Sequence, residues 1–204
     1  MKKSRLFAVI AALTVGLWLP AAHADISLDI KTAPYGLYKI DPDHTSVTFK
    51  INHLGFSHYT GRFDRIEGIL NFNNNNPDQS NVDITIYPNS VDTNNPKLEE
   101  DLRGDKWLNV IKFPRATYHA TRLERTGVMT GKIFGDFTFL GITRPLTLDV
   151  TFVGTGTHPF TRKQVLGFSA VASFDRSDYG LSNLLPALGN EVVLEIEAEF
   201  DKAE

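Results

Sequence analysis

Apolar and polar residues alternate with period two along most of this chain. Near the C-terminus, Val192, Leu194, Ile196, Ala198 and Phe200 fall on one face, and Glu195, Glu197, Glu199 and Asp201 on the other. That is the signature of a strand with one buried side. Leu166, Phe168, Ala170, Ala172 and Phe174 repeat the pattern, as do Leu146, Leu148, Val150 and Phe152. Upstream, Val47, Phe49 and Ile51 form one set, Ile66, Gly68, Leu70 and Phe72 another, and Val82, Ile84 and Ile86 a third. Gly131, Ile133, Gly135, Phe137 and Phe139 stand opposite Lys132, Asp136 and Thr138, and residues 115–125, rich in Thr and Tyr, make a weaker strand. The pattern predicts about eight strands.

Turn residues separate them: the Asn-rich stretch Asn73 to Asp78, Thr126-Gly127, Leu140-Gly141, and Gly154 to Pro159. Short turns between successive strands make antiparallel neighbours. Residues 91–114 depart from the pattern. Asn95 can cap a helix that has Pro96 at its first position and Glu99, Glu100 and Asp101 near its positive end, so a helix of about three turns is expected near 96–108. Ser177 to Asn190 reads as an irregular loop before the last strand. The fold class is all-β. Strands of this kind close into a barrel or pack as a two-sheet sandwich. Gly68, Gly131, Gly135 and Gly167 share faces with Phe72, Phe137 and Phe168. They read either as gaps in a barrel interior or as bulges in a filled core.

The first 24 residues stand apart. Lys2, Lys3 and Arg5 precede 14 uncharged residues, Leu6 to Leu19, and then Pro20 and Ala22-His23-Ala24. A basic start, a short apolar run and small residues before a cut after Ala24 are the pattern of a signal peptide, and the run is short for a spanning helix. Residues 25–204 are then the mature domain, expected in the periplasm. Losing the three N-terminal cations leaves 18 basic groups against 24 acidic ones, a net charge of −6. The acidic balance argues against nucleic acid as a partner. The absence of cysteine excludes disulfides, a lipoprotein anchor and a thiol nucleophile.

Catalytic and cofactor motifs are not found: no nucleophile elbow, zinc-protease helix, phosphate loop or dinucleotide fingerprint. No cofactor or metal is expected, and the chain reads as a non-enzyme. His53 and His58, five apart across a Gly-containing turn, can pair on a metal, although polar residues at a barrel rim explain them as well. Asp175-Arg176-Ser177-Asp178 follows an apolar strand and reads as a strand-end ion pair or as a polar mouth over a ligand. Arg103 and Trp107, four apart on the expected helix, share a face that docks the helix on the barrel end or meets the ligand.

The order of the motifs resembles a known family. Asp41-x-x-His44-Thr45-x-Val47-x-Phe49 leads to His53-Leu54-Gly55-Phe56-Ser57 and Gly61-Arg62-Phe63. Ser90-Val91-Asp92-Thr93, Asp101-Leu102-Arg103-Gly104 and Lys112-Phe113-Pro114-x-Ala116 follow. Next come Gly141-Ile142-Thr143-Arg144-Pro145-Leu146, Gly167-Phe168, Arg176-Ser177-Asp178-Tyr179-Gly180 and Gly189-Asn190-Glu191-Val192. Across about residues 37–200 the chain resembles the YceI-like family of periplasmic lipid-binding proteins. The resemblance implies an eight-stranded antiparallel barrel of lipocalin-like shape, with a short helix in a long connection near one end. Its apolar cavity would hold a long-chain isoprenoid or a similar amphiphile.

Carried onto this sequence, the resemblance implies a cavity lined by Phe49, Ile51, Phe63, Leu70, Ile86 and Ile133. Gly135, Phe137, Phe139, Phe152, Phe168 and Phe174 complete that lining, and His53, Asp92, Arg103 and Arg176 lie near a polar mouth. One departure affects the head group. Asp101-Leu102-Arg103-Gly104 stands where the family usually has His-Leu-Arg-Ser, so an acid and a glycine replace a histidine and a hydroxyl. On this reading the protein is a carrier, monomeric or homodimeric and not embedded in a membrane, and Gly135→Leu lowers lipid occupancy more than stability. The competing classes are a lipid-modifying enzyme using His53, His58 and Asp178, and an outer-membrane barrel. The latter is disfavoured by four acids on the polar face of the last strand.

Overall fold

A computed structural model describes residues 25–204; the signal peptide expected over 1–24 lies outside them. The described residues form twelve strands, one α-helix and four short 3-10 turns. The first strands are β1 (Ile26–Ser27), β2 (Gly36–Ile40), β3 (Ser46–His53), β4 (Ser57–Phe63), β5 (Ile66–Phe72), β6 (Asn81–Ile86) and β7 (Val91–Asp92). Then come α1 (Pro96–Arg103) and the longer strands β8 (Ala116–Arg125), β9 (Thr130–Phe139), β10 (Ile142–Thr157), β11 (Gln164–Asp175) and β12 (Leu188–Lys202).

Eight of these strands close into an antiparallel barrel in the order β2, β5, β6, β8, β9, β10, β11, β12 and back to β2. The remaining long strands extend the wall. β12 pairs with β3 from Val192↔Ile51 to Glu197↔Ser46, then leaves it for β2 from Phe200↔Ile40 to Lys202↔Tyr38. β3 pairs with β4, and β4 with β7. Three walls of the eight are therefore each broken in two: β2 with β3, β4 with β5, and β6 with β7. The breaks carry Asp41-Pro42, Asp64-Arg65 and the 3-10 turn Pro88–Ser90, places where a proline or a tight turn interrupts the ladder.

The side chains obey the alternation. Val192, Leu194, Ile196, Ala198 and Phe200 of β12 turn inward. Outside, ion pairs cross between strands, Lys50 of β3 with Glu195 of β12 and Lys132 of β9 with Asp149 of β10. This is the inverse of a transmembrane barrel, whose apolar band faces lipid.

β7 ends the ladder on its side without reaching β8, and α1 with residues 104–115 covers the gap. The Asn95 side chain caps α1 by accepting from the Leu98 N–H at 3.3 Å, and Glu99 returns to accept from the Thr93 N–H at 3.0 Å. The helix is shorter than the expected 96–108. Gly104 adopts an extended conformation, and the N–H groups of Leu108 and Val110 fold back onto the carbonyls of Leu102 and Arg103 at 2.9 and 3.2 Å. Those bonds satisfy the final helical carbonyls by reversing the chain. Arg103 and Trp107 therefore do not share a helical face.

Candidate functional site

The barrel encloses two apolar cavities that meet at a belt formed by Val47, Ile86, Phe137 and Leu194. The larger, of about 820 Å³, lies at the α1 end. The smaller, of about 190 Å³, lies toward the β8–β9 hairpin. The larger is within the size range of small-molecule sites.

Its walls follow from strand alternation. β3 contributes Phe49 and Ile51, β9 contributes Phe137 and Phe139, and β11 contributes Phe174. Phe137, Phe139, Phe174 and Tyr179 pack as one aromatic cluster, with ring centroids 5.2 to 6.0 Å apart. Phe137 and Phe139 stack and the other pairs meet tilted or edge-on, contacts that hold a wall rigid. The roof comes from outside the barrel strands. Leu98 and Leu102, one turn apart on α1, cover it together with Trp107 and Leu108, and the loop after β11 adds Leu181, Leu184 and Ala187. The sequence places the helix and Trp107 at the barrel end but does not single out Leu98 and Leu102, although their spacing marks a one-sided helix.

The structure separates the expected lining into three groups. Phe49, Ile51, Phe63, Phe139 and Phe174 line the larger cavity; Leu70, Ile133, Phe152 and Phe168 line the smaller. Ile86 and Phe137 border both. Gly135 reaches neither. The Tyr118 ring lies over it, and a Cβ there would come within 2.5 Å of the ring and 2.6 Å of the His119 carbonyl. Phe49 covers Gly61, and Ile84 covers Gly68, in the same way. These glycines are not openings into the interior. Each leaves room that a large neighbour on the adjacent strand already fills. Tyr118 is also fixed by its hydroxyl, which donates to the carbonyls of Ile133 at 2.9 Å and Leu146 at 3.2 Å. Burial pushes its phenol well up, so it stays neutral.

Two of the four expected mouth residues border the larger cavity. His53 lies beside Tyr59, with ring centroids 6.2 Å apart. Arg176 is 1% exposed and, among the described residues, has no carboxylate partner. Its guanidinium donates to the carbonyls of Gly189 and Leu181 at 2.8 Å, Asn183 at 2.9 Å and Leu188 at 3.3 Å. The strand-end ion pair read from residues 175–178 is thus a clamp on the backbone of the covering loop, and burial lowers the affinity of this guanidinium for its proton.

Asp92 and Arg103 stand outside the cavity lining. Asp92 lies 3.7 Å from Arg62 on the surface. Arg103 donates to the carbonyls of Asn89 at 2.9 Å and Val91 at 3.0 Å, tying α1 to β7. His53 and His58 are not brought together: in the β3–β4 hairpin His53 pairs with Ser57, and His58 with Asn52, which puts the two imidazoles on opposite faces. Among the described residues no buried side-chain polar atom lacks a hydrogen-bond partner. The interior is apolar over most of its surface, which suits a long apolar chain, and Glu100, Asp101, Asp105 and Lys106 add charge where α1 and the turn after it border the larger cavity.

Comparison with known proteins agrees with this geometry. The chain is 37% identical over 164 residues to the protein YceI of Salmonella arizonae, covering 79% of this chain and 85% of that protein. Among solved structures, Burkholderia cenocepacia BcnA superposes with a TM-score of 0.71 at 18% identity, covering 78% of this chain and 98% of BcnA. A polyisoprenoid binding domain from Saccharophagus degradans, implicated in plant cell wall breakdown, superposes with a TM-score of 0.63 at 16% identity. It covers 81% of this chain and 98% of that domain. The YceI-like domain model matches residues 38–200, which span the whole barrel ring and the helix that roofs it, and the chain belongs to the YceI-like family.

Proposed function

We propose that this protein binds and carries a long-chain isoprenoid or a similar long amphiphile in the periplasm, with the apolar tail inside the barrel. The observation that carries this reading is the apolar interior itself: about 820 Å³ at the α1 end, continued beyond the belt by about 190 Å³. Each buried methylene contributes about 0.8 kcal/mol, so about ten of them supply about 8 kcal/mol, a micromolar dissociation constant without any polar contact. Glu100, Asp101, Asp105 and Lys106, which border the larger cavity from α1 and the turn after it, then orient the polar end of the ligand. Leu54 and Leu184, exposed at the edge of the larger cavity, continue its apolar surface outward and offer the tail a path in. Support also comes from membership of the YceI-like family and from the Saccharophagus neighbour, which is a polyisoprenoid binding domain.

Native mass spectrometry of the protein purified from its periplasmic extract tests the reading. The expected spectrum shows one amphiphile per chain, released by organic solvent, on a polypeptide beginning at Asp25. A ligand-free spectrum, together with failure to take up any polyprenol or fatty amphiphile, overturns it.

A further inference from the structure

Asp41 and His44 lie outside the cavity, at the corner where the chain passes from β2 to β3, and β12 brings Glu199 to the same place. We propose that Asp41, His44 and Glu199 form a binding site for a divalent transition-metal ion of the zinc type on the outer surface of the barrel. The inference is independent of what fills the cavity.

One donor atom from each of the three side chains lies within 4.8 Å of the other two. Asp41 Oδ2 and His44 Nδ1 are 2.8 Å apart. Zinc bonds of 2.0 to 2.2 Å set tetrahedral donors about 3.3 Å apart, so the Asp41–His44 pair must give up its hydrogen bond and spread by about 0.5 Å, and the Glu199 carboxylate, within 4.8 Å of both, closes in on the ion. The His44 side chain is 55% exposed and free to make that adjustment, and its exposure leaves coordination positions for water.

The backbone holds the three residues in place without an ion. The Asp41 N–H donates to the Glu199 carbonyl at 2.8 Å, and the Glu199 N–H donates to Thr45 Oγ1 at 3.3 Å. Glu199 is therefore tied to both sides of the corner that supplies the other two donors. Oδ1 of Asp41 accepts from the Asp43 N–H at 2.9 Å, which orients its carboxylate. Holding the three backbones together lowers the ordering cost of binding.

One imidazole and two carboxylates suit zinc, manganese or ferrous iron, and lack the thiolate or thioether that copper(I) prefers. Asp43 adds negative charge beside the site. Lys163 also faces this region, but Asp201 holds it at 2.7 Å. His158 flanks the site, with its ring centroid 6.4 Å from that of His44. It is already committed: its Nδ1 accepts the N–H groups of Phe160 at 3.2 Å and Thr161 at 3.1 Å, which leaves the proton on Nε2. An ion here spans the seam at which β12 changes partner from β3 to β2. It would staple the broken wall.

The test uses untagged protein stripped with EDTA and titrated with zinc chloride by calorimetry. The expected result is one ion per chain with a micromolar dissociation constant, weakened by at least about tenfold in His44→Ala and in Glu199→Gln, and unchanged in His53→Ala. In the wild-type protein, amide spectra should shift first at Asp41, His44, Thr45 and Glu199, a readout that does not depend on the folding of any variant. Absence of saturable binding below millimolar zinc overturns the proposal. So does binding that survives His44→Ala, or a set of shifts centred elsewhere.

Discussion

Arg176 gives the sharpest test of how the cavity is kept in shape. Its guanidinium is buried without a carboxylate, and its four hydrogen bonds run to the carbonyls of Leu181, Asn183, Leu188 and Gly189. Replacing it with methionine (Arg176→Met) keeps much of the volume and leaves those acceptors without a donor. Bonds to a charged donor contribute about 1.5 to 3 kcal/mol each, or about 6 to 12 kcal/mol for four. Against this stands the cost of burying an unpaired cation, several kcal/mol. The net loss is about 3 to 5 kcal/mol, and in a domain of this size that lowers the melting temperature by about 10 °C. Because Leu181, Leu184 and Ala187 of the clamped loop roof the larger cavity, the loss should be local as well as global. Thermal unfolding followed by circular dichroism measures the first effect, and amide exchange across residues 181–189 the second. Arg176→Lys keeps the charge but not the planar fork, and should recover less than half of the loss. Melting of Arg176→Met within about 2 °C of wild type, or full recovery in Arg176→Lys, would refute the reasoning.

Three further outcomes are expected. Gly135→Leu drives a side chain into the Tyr118 ring and should destabilise the protein by about 2 to 3 kcal/mol in chemical denaturation, with the folded fraction still binding ligand normally. That reverses the expectation from sequence that Gly135 opens onto the cavity. Val192→Trp directs an indole into the larger cavity in place of about four ligand methylenes, so affinity for a long polyprenol should fall by about 3 kcal/mol, on the order of 100-fold, with the melting temperature nearly unchanged. The hydrogen bond and charge of Asp83 raise the pKa of His119 above its ordinary value of 6.5. The stabilisation from that pair is therefore complete below pH 6.5 and fades as pH rises through the folded-state pKa. A proton NMR titration should show a raised midpoint for His119 that returns toward 6.5 in Asp83→Asn.

The barrel strands were legible because their inward positions alternate over long stretches; β12 alone shows five inward apolar residues, the last four of them separated by Glu195, Glu197 and Glu199. The breaks in three walls were not legible. β2 and β7 are five and two residues long, and their partners are set by closure of the sheet rather than by local pattern. Gly68 and Gly135 mislead for a related reason, whereas Gly131 does line the smaller cavity. Whether Gly135 leaves a void depends on Tyr118, which the pairing of Ala120 with Gly135 places alongside it, and register between strands is absent from a one-dimensional pattern. Arg176 looked like half of an ion pair because Asp175 and Asp178 flank it. Its actual partners are backbone carbonyls of a loop with no ladder to satisfy them. The helix was placed correctly at its start, where Asn95 and Pro96 are strong signals, and overextended at its end, where the folding back of Leu108 and Val110 decides.

In the proposed function, affinity comes from apolar tail buried in the barrel. Calorimetric titration of the delipidated protein with polyprenols of graded length tests it most directly. Affinity should rise by on the order of 100-fold or more for each added isoprene unit while the tail is still filling the cavity, and then level off. An affinity that is the same for short and long chains would contradict it.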